Sequence, residues 1–153
     1  MPSSLLKNPP FYGRQDILEI INKRANGLSE GYRQNIVLIG EELIGKTRLI
    51  QHWLSTYCNN YVVPIYLEVK PQEQATFPQK FIGTLLYAFL KNSQAPLKDD
   101  LDFLMEKARG YIPNTIQQAK ELLSGNKKKP PLDIFMRLLK LAESFHAETD
   151  KHC

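Results

Sequence analysis

Cysteine is scarce in this chain, and its scarcity narrows the environments in which the protein can work. Cys58 and Cys153 are the two cysteines, and they lie far apart without the spacing of a metal site. Long apolar runs are missing too, because no stretch of 18 apolar residues predicts a membrane-spanning helix. Residues 1–10 lack the apolar core of a signal peptide. We therefore expect a cytoplasmic protein in a reducing compartment, with no membrane partner.

The chain also has no large excess of charge of either sign. The chain has 20 basic and 16 acidic residues and a net charge of +4, an excess too small to predict nucleic-acid binding by itself. The three lysines at 127–129 lie in a loop with proline and glycine. A solvated loop tip is the favoured interpretation, and a contact with nucleic-acid phosphates is the alternative. With 153 residues, 42% of them hydrophobic, the chain is expected to form one domain with a sizeable core.

The densest chemical signal lies in residues 35–53. An apolar run at 36–39 leads into residues 40–47, which match the pattern G-x-x-x-x-G-K-[ST]. Apolar residues then recur at helical spacing, at Leu49, Ile50, Trp53 and Leu54. This order predicts a strand, a loop bounded by glycines, and a helix that begins near Lys46 and packs Trp53 into a core.

The residue types of this loop suit the binding of a polyphosphate. Backbone N–H groups can point at phosphates only if the loop bends tightly, and Gly40 and Gly45 allow backbone angles and close approaches that a Cβ would prevent. Lys46 supplies a positive charge for the β- and γ-phosphates, and the Thr47 hydroxyl is placed to ligate Mg²⁺. The positive end of the following helix is aimed at the same phosphates. The structural alternative is a chance glycine turn between a strand and a helix.

Nine consecutive residues form the candidate phosphate loop. The negative charges of Glu41 and Glu42 would oppose a phosphate, so their side chains are expected to point away while the backbone binds. Thr47 is the candidate metal ligand. The candidate nucleotide-binding residues of the loop are Gly40, Glu41, Glu42, Leu43, Ile44, Gly45, Lys46, Thr47 and Arg48.

The rest of the chain is predicted from periodicity and from stop signals. Residues 1–10 are rich in turn formers and are expected to be extended, and a helix is expected from Gln15 to Ala25, stopped by Gly27. Residues 61–69 are rich in β-branched and aromatic residues and predict a second strand, continuous over 65–69. Capping boxes and helical spacing predict four further helices, at 76–91, 97–108, 115–125 and 132–146.

A second short pattern precedes the loop by about one helix and one strand. It consists of Phe11, Tyr12, Gly13 and Arg14. Together with the loop, it resembles the start of the AAA-type and STAND-type P-loop ATPases, in particular the prokaryotic archaeal-ATPase group, which open with a hydrophobic-Gly-Arg box followed by a G-x-x-x-x-G-K-T Walker A loop. The resemblance implies ATP and Mg²⁺ as ligands, with residues 11–14 near the adenine.

The resemblance also implies a fold. P-loop NTPases are α/β proteins with three layers, α/β/α, around a parallel sheet, and about two strands of such a sheet are predicted here, followed by helical segments. Residues 11–153 would then be the N-terminal part of one domain, with a nucleotide-binding core at 11–91 and a helical insertion at 92–153. The Walker B strand of the family, which ends in Asp-Glu, has no match, because Asp99-Asp100 lacks an apolar run before it and Glu68 is a single carboxylate. The chain is expected to stop just before that strand.

Three functions compete on this evidence. The first is the nucleotide-binding module of an ATPase, in which hydrolysis is not expected because the Walker B and sensor residues have no match. The second is a non-catalytic scaffold or DNA-associated regulator, which uses bound nucleotide only to become ordered. The third, a small-molecule kinase, has less support. Such kinases usually place phosphate-binding arginines in a lid, whereas Arg109 and Arg137 lie in helical patterns. Besides nucleotide, a second copy of the chain or downstream domains are the expected partners.

Overall fold

The computed structural model describes residues 12–91, 97–125 and 130–153. These residues contain six α-helices. A short 3₁₀ turn, Pro71–Glu73, precedes the third helix. The predictions for residues 1–10, Phe11 and the lysines at 127–129 lie outside the described residues. The helices are α1 (Gln15–Ser29), α2 (Lys46–Thr56), α3 (Phe77–Lys91), α4 (Leu101–Ala108), α5 (Pro113–Gly125) and α6 (Pro131–Thr149).

The predicted α/β fold with a parallel sheet is wrong for these described residues. Neither residues 35–39 nor residues 65–69 form a strand, and the β-pairing in the described residues is one isolated parallel bridge between Val62 and His152. A β-branched sequence favours a strand only when a neighbouring strand takes up its N–H and C=O groups, and residues 12–91, 97–125 and 130–153 supply no such neighbour. Apolar side chains of the first segment stay exposed, Val37 at 76% and Ile39 at 91%. The described chain is helical.

The chain divides into two compact units, Met1–Cys58 and Asn59–Cys153. In the first, α1 and α2 bury three apolar side chains in a small core, Leu18, Ile21 and Leu49. Trp53 packs against this cluster, as its helical spacing predicts, and its indole Nε1 donates a hydrogen bond to Asn22 Oδ1 at 2.7 Å. The helix after the loop begins at Lys46, which confirms that prediction.

The second unit contains the larger core. Among the described residues, fifteen buried apolar residues come mainly from α3, α4, α5 and α6. At its centre Phe145 is fully buried and meets Phe89 edge to face, with ring centroids 5.3 Å apart. Helix α3, which the sequence prediction grouped with the nucleotide-binding core, packs here against α4, α5 and α6. No helix in the described residues is both long enough and apolar enough for a membrane span.

Two helix ends differ from the stop and cap residues predicted from the sequence. Helix α1 continues through Gly27 to Ser29, so that glycine is not its stop. Helix α5 begins at Pro113, where a proline fits the first turn, and Thr115 therefore lies inside the helix and is not its cap. The N–H groups of Asn114 and Thr115 donate to the carboxylate of Glu148 on α6, at 2.9 and 2.8 Å. A side chain from a distant helix takes over the role that the capping box predicted for Thr115.

Candidate nucleotide-binding site

The backbone of the candidate loop needs its two glycines. Gly45 is the N-cap of α2 and has a φ of 92°, a left-handed conformation that strains any residue with a Cβ. Gly40 does not need an unusual φ, but a Cβ on it would lie 3.1 Å from Ile44 Cγ2. The loop therefore folds back on itself closely enough that a side chain at position 40 would displace its neighbour.

Lys46 closes the loop from the first position of α2. Its Nζ donates hydrogen bonds to the carbonyl oxygens of Gly40 and Glu41, each at 2.6 Å. The lysine side chain thus reaches back to the first two residues of the loop. This puts the ammonium group of Lys46 beside the backbone that the motif assigns to phosphate binding.

Arg14 reaches the same loop from the start of α1. It is the N-cap of that helix with a φ of 57°, directly after Gly13 at 82°. Its Nη2 donates a hydrogen bond to the carbonyl oxygen of Ile44. The structure therefore brings together two sequence patterns that lie 30 residues apart. The side chain of Tyr12 is 83% exposed.

The remaining loop candidates face solvent. Glu41 and Glu42 are exposed, and Leu43, with a φ of 62°, is exposed over its whole side chain. A left-handed conformation at a leucine costs on the order of 1 kcal/mol or more, so the rest of the loop must impose it. Thr47 and Arg48 are exposed in the first turn of α2, which leaves the threonine hydroxyl accessible to a metal ion.

Two cationic side chains contact the loop, and the acidic Glu41 and Glu42 are exposed within it. Lys46 and Arg14 contact its carbonyl groups, and α2 has no acidic residue in its first turn. The N-cap residue of α2 is Gly45, which has no side chain to cap the helix. The donor set of an ammonium, backbone amides and a hydroxyl matches the oxygens of a magnesium-bound polyphosphate.

The carboxylates considered for a Walker B element have structural roles. Asp100 is the N-cap of α4, where its Oδ1 accepts a hydrogen bond from the Phe103 N–H at 2.8 Å. Glu68 lies 3.8 Å from Lys70 Nζ in an exposed pair. Within the described ranges, no group of three or more His, Cys, Asp or Glu side chains is arranged to hold a metal ion.

The contact of Arg14 with the loop was not predicted from the sequence. The resemblance assigned residues 11–14 to the adenine, and spacing alone does not predict which carbonyl an arginine reaches. The one sequence signal was the order of the two patterns, a Gly-Arg pair at a helix start and then the glycine-bounded loop.

The comparisons with known proteins add no relative. No protein-family model, no curated protein and no solved structure matched the chain. The case for a function therefore depends on the residues and the geometry of the loop.

Proposed function

We propose that residues 40–48 bind the phosphates of a nucleotide, ATP with Mg²⁺, in the manner of a Walker A loop. In this proposal backbone amides of the loop and of the first turn of α2 hold the phosphates, and Lys46 contacts the β- and γ-phosphates. The Thr47 hydroxyl ligates Mg²⁺, which would supply charge neutralisation when bound. Arg14 holds the loop in shape through Ile44.

The position of Lys46 Nζ carries this proposal. The ammonium group bonds two carbonyl oxygens of the loop, those of Gly40 and Glu41. Phosphate oxygens can replace these neutral acceptors with charged ones, and charge-assisted hydrogen bonds are about twice as strong as neutral ones. A chance glycine turn gives no reason for the lysine to lie across the loop. This position supports the proposal, because a bound phosphate could replace the two carbonyl oxygens as the acceptor for Lys46 Nζ.

The proposal covers binding and not hydrolysis. Phosphoryl transfer depends almost wholly on positioning and charge stabilisation, and the sequence lacks an Asp-Glu pair to support Mg²⁺ and orient water. The same observation favours a second candidate function. The chain would be a non-catalytic scaffold or a DNA-associated regulator, and bound nucleotide would order it without being hydrolysed. We further propose a cytoplasmic, reducing location, since Cys58 and Cys153 are both free cysteines.

Titration calorimetry of the purified chain with ATP and Mg²⁺ tests the binding. Lys46→Ala removes a contact worth roughly 1.5–3 kcal/mol, so we expect its affinity to fall by about one to two powers of ten. Lys23→Ala is the matched control, because Lys23 is an exposed lysine on α1 of the same unit, and its affinity should match wild type.

Two results would contradict the proposal. Equal affinity in Lys46→Ala and Lys23→Ala would exclude the loop as the phosphate site. Phosphate release that continues in wild type and stops in Lys46→Ala would mean that the chain hydrolyses ATP after all. In that case the scaffold candidate is wrong, although the binding assignment holds.

A further inference from the structure

Helix α6 carries two apolar faces, and one of them is exposed in the part of the chain that the structure describes. Its inner face buries Leu138, Leu141 and Phe145 in the core of the second unit. Its outer face carries four more apolar residues with the spacing i, i+3, i+4 and i+7, which a single helix face produces. We call this face the outer stripe: Leu132 (72% exposed), Phe135 (49%), Met136 (48%) and Leu139 (45%).

The outer stripe extends into a neighbouring cavity. Phe135 lines both the stripe and an apolar cavity of about 550 Å³ that α6 shares with Val69 and with Phe77 of α3. The apolar surface offered to a partner is therefore wider than one helix face. Contiguous apolar patches of this kind mark sites of interaction in soluble proteins.

Two opposite charges lie along one edge of the stripe. Asp133 and Lys140 are both exposed and seven residues apart, so they follow each other along the helix at a separation of about 10 Å. Their positions distinguish the two ways in which a second α6 could pack. Parallel helices related by a two-fold axis would put the charged edges on opposite sides of the contact, so Asp133 and Lys140 would not pair. Antiparallel helices bring the same edges together in reverse order.

We propose that a second copy of this chain covers the outer stripe, with the two α6 helices antiparallel about a two-fold axis near Met136. In this register Met136 faces the partner's Met136, and Leu132 faces the partner's Leu139. Asp133 faces the partner's Lys140, and the two-fold axis produces a second such ion pair at the other end of the stripe. The outer stripe and its charged edge are thus complementary to a second copy of themselves.

The size of the stripe predicts a weak dimer. Four residues over two turns, with the cavity rim, are a smaller surface than the roughly 800 Å² that a partner contributes to a standard interface. We therefore expect a dissociation constant on the order of micromolar. The ion pairs at the rim fix the orientation of the helices more than they add affinity.

Sedimentation equilibrium of the full chain over a range of concentrations tests this pairing. The apparent mass should rise from 17.6 kDa towards twice that value. Leu139→Asp should leave a monomer. Lys140→Glu and Asp133→Lys should each weaken the dimer about tenfold, because each creates two like-charge pairs. The double variant with both changes should recover wild-type affinity, since each ion pair is restored in reverse.

Circular dichroism of every variant shows that α6 is still folded, and Lys120→Glu on the exposed face of α5 is the matched charge control. A monomer at all concentrations would overturn the proposal, and a different partner would then cover the stripe. A dimer that Leu139→Asp leaves intact would overturn it as well. A double variant that stays as weak as the single ones would exclude the antiparallel register.

Discussion

The two units differ most in how much apolar surface they bury. In the second, fifteen described residues form one core from four helices, whereas the first closes a core of three. The first unit also leaves apolar side chains in solvent, including Val37, Ile39 and Leu43. Burial of apolar surface is the main stabilising contribution to folding, so the second unit has the larger reserve of stability.

The difference separates the stable part of the molecule from the candidate site. The phosphate loop belongs to the first unit, where Lys46 and Arg14 hold the backbone by hydrogen bonds to its carbonyl groups. A loop held by a few polar contacts adapts to a ligand more easily than a packed core does. The second unit supplies a helix bundle with a free apolar face. The proposed binding site and the proposed dimer surface thus lie in different units.

The largest expected effect is in the core of the second unit. Phe145→Ala removes a fully buried ring that also meets Phe89 edge to face, which should cost about 3–5 kcal/mol of unfolding free energy. Denaturant unfolding followed by circular dichroism measures the loss. Trp53, the single tryptophan, reports on the first unit, so its fluorescence transition should move less.

Phe135→Ala provides the matched control. It is the same chemical change on the same helix, but Phe135 is 49% exposed, so the cost should be about 1 kcal/mol or less at low protein concentration. Equal losses in the two variants would show that the core of the second unit is not organised around Phe145. Equal shifts of both probes in Phe145→Ala would show that the two units unfold together.

The next effect tests the tie between α5 and α6. Glu148 accepts hydrogen bonds from the N–H groups of Asn114 and Thr115 and from the Thr115 hydroxyl, the last at 2.6 Å. Glu148→Gln removes the negative charge at this helix N-terminus and should cost about 1–2 kcal/mol. Glu143→Gln, at an exposed position of the same helix, should stay within about 0.5 kcal/mol of wild type.

The effect of Glu148 should depend on pH. Partial burial tends to raise the pKa of its carboxyl, but the hydrogen bonds from Thr115 and Asn114 together lower that pKa below its ordinary value of 4.5. A carboxyl with a lowered folded-state pKa stabilises the protein above its unfolded pKa and loses that contribution as the pH falls through the folded pKa. The stability difference between wild type and Glu148→Gln should shrink below about pH 4.5. A constant difference down to pH 2 would contradict this role.

Local patterns predicted the helices, and long-range contacts explain the errors. The helices predicted from helical spacing bury apolar residues in the core, such as Leu104 and Ala108 in α4 and Ile116 and Ala119 in α5. A strand depends on a partner elsewhere in the chain, so the composition of residues 35–39 and 61–69 misled the prediction. The cap of α5 failed for the same reason, because Glu148 lies 33 residues from Thr115.

The candidate site divides in the same way. Its glycine positions and the start of α2 follow from the local pattern, since Gly45 adopts the left-handed conformation that the motif requires. The contact of Arg14 with Ile44 spans 30 residues and could not be derived from spacing. Sequence reasoning therefore predicts the shape of the loop better than it predicts what supports the loop.

The smallest expected effect lies in the core of the first unit. Trp53 Nε1 donates to Asn22 Oδ1 at 2.7 Å in a partly buried site, and this bond links α2 to α1. Asn22→Ala removes the acceptor and leaves the indole N–H without it, which should cost about 1 kcal/mol of unfolding free energy. Denaturant unfolding followed by Trp53 fluorescence measures this change in the unit where it occurs.

Asn26→Ala is the matched control for Asn22→Ala, one helical turn further along α1. Asn26 Oδ1 accepts a hydrogen bond from the Tyr57 hydroxyl at 3.1 Å, but this bond is longer and exposed, so its loss should cost less than about 0.5 kcal/mol. Water can replace the acceptor at an exposed hydroxyl and reaches a partly buried indole N–H less easily. Equal costs at both positions would mean that water reaches Trp53 as freely as Tyr57, and that the small core of the first unit does not exclude solvent.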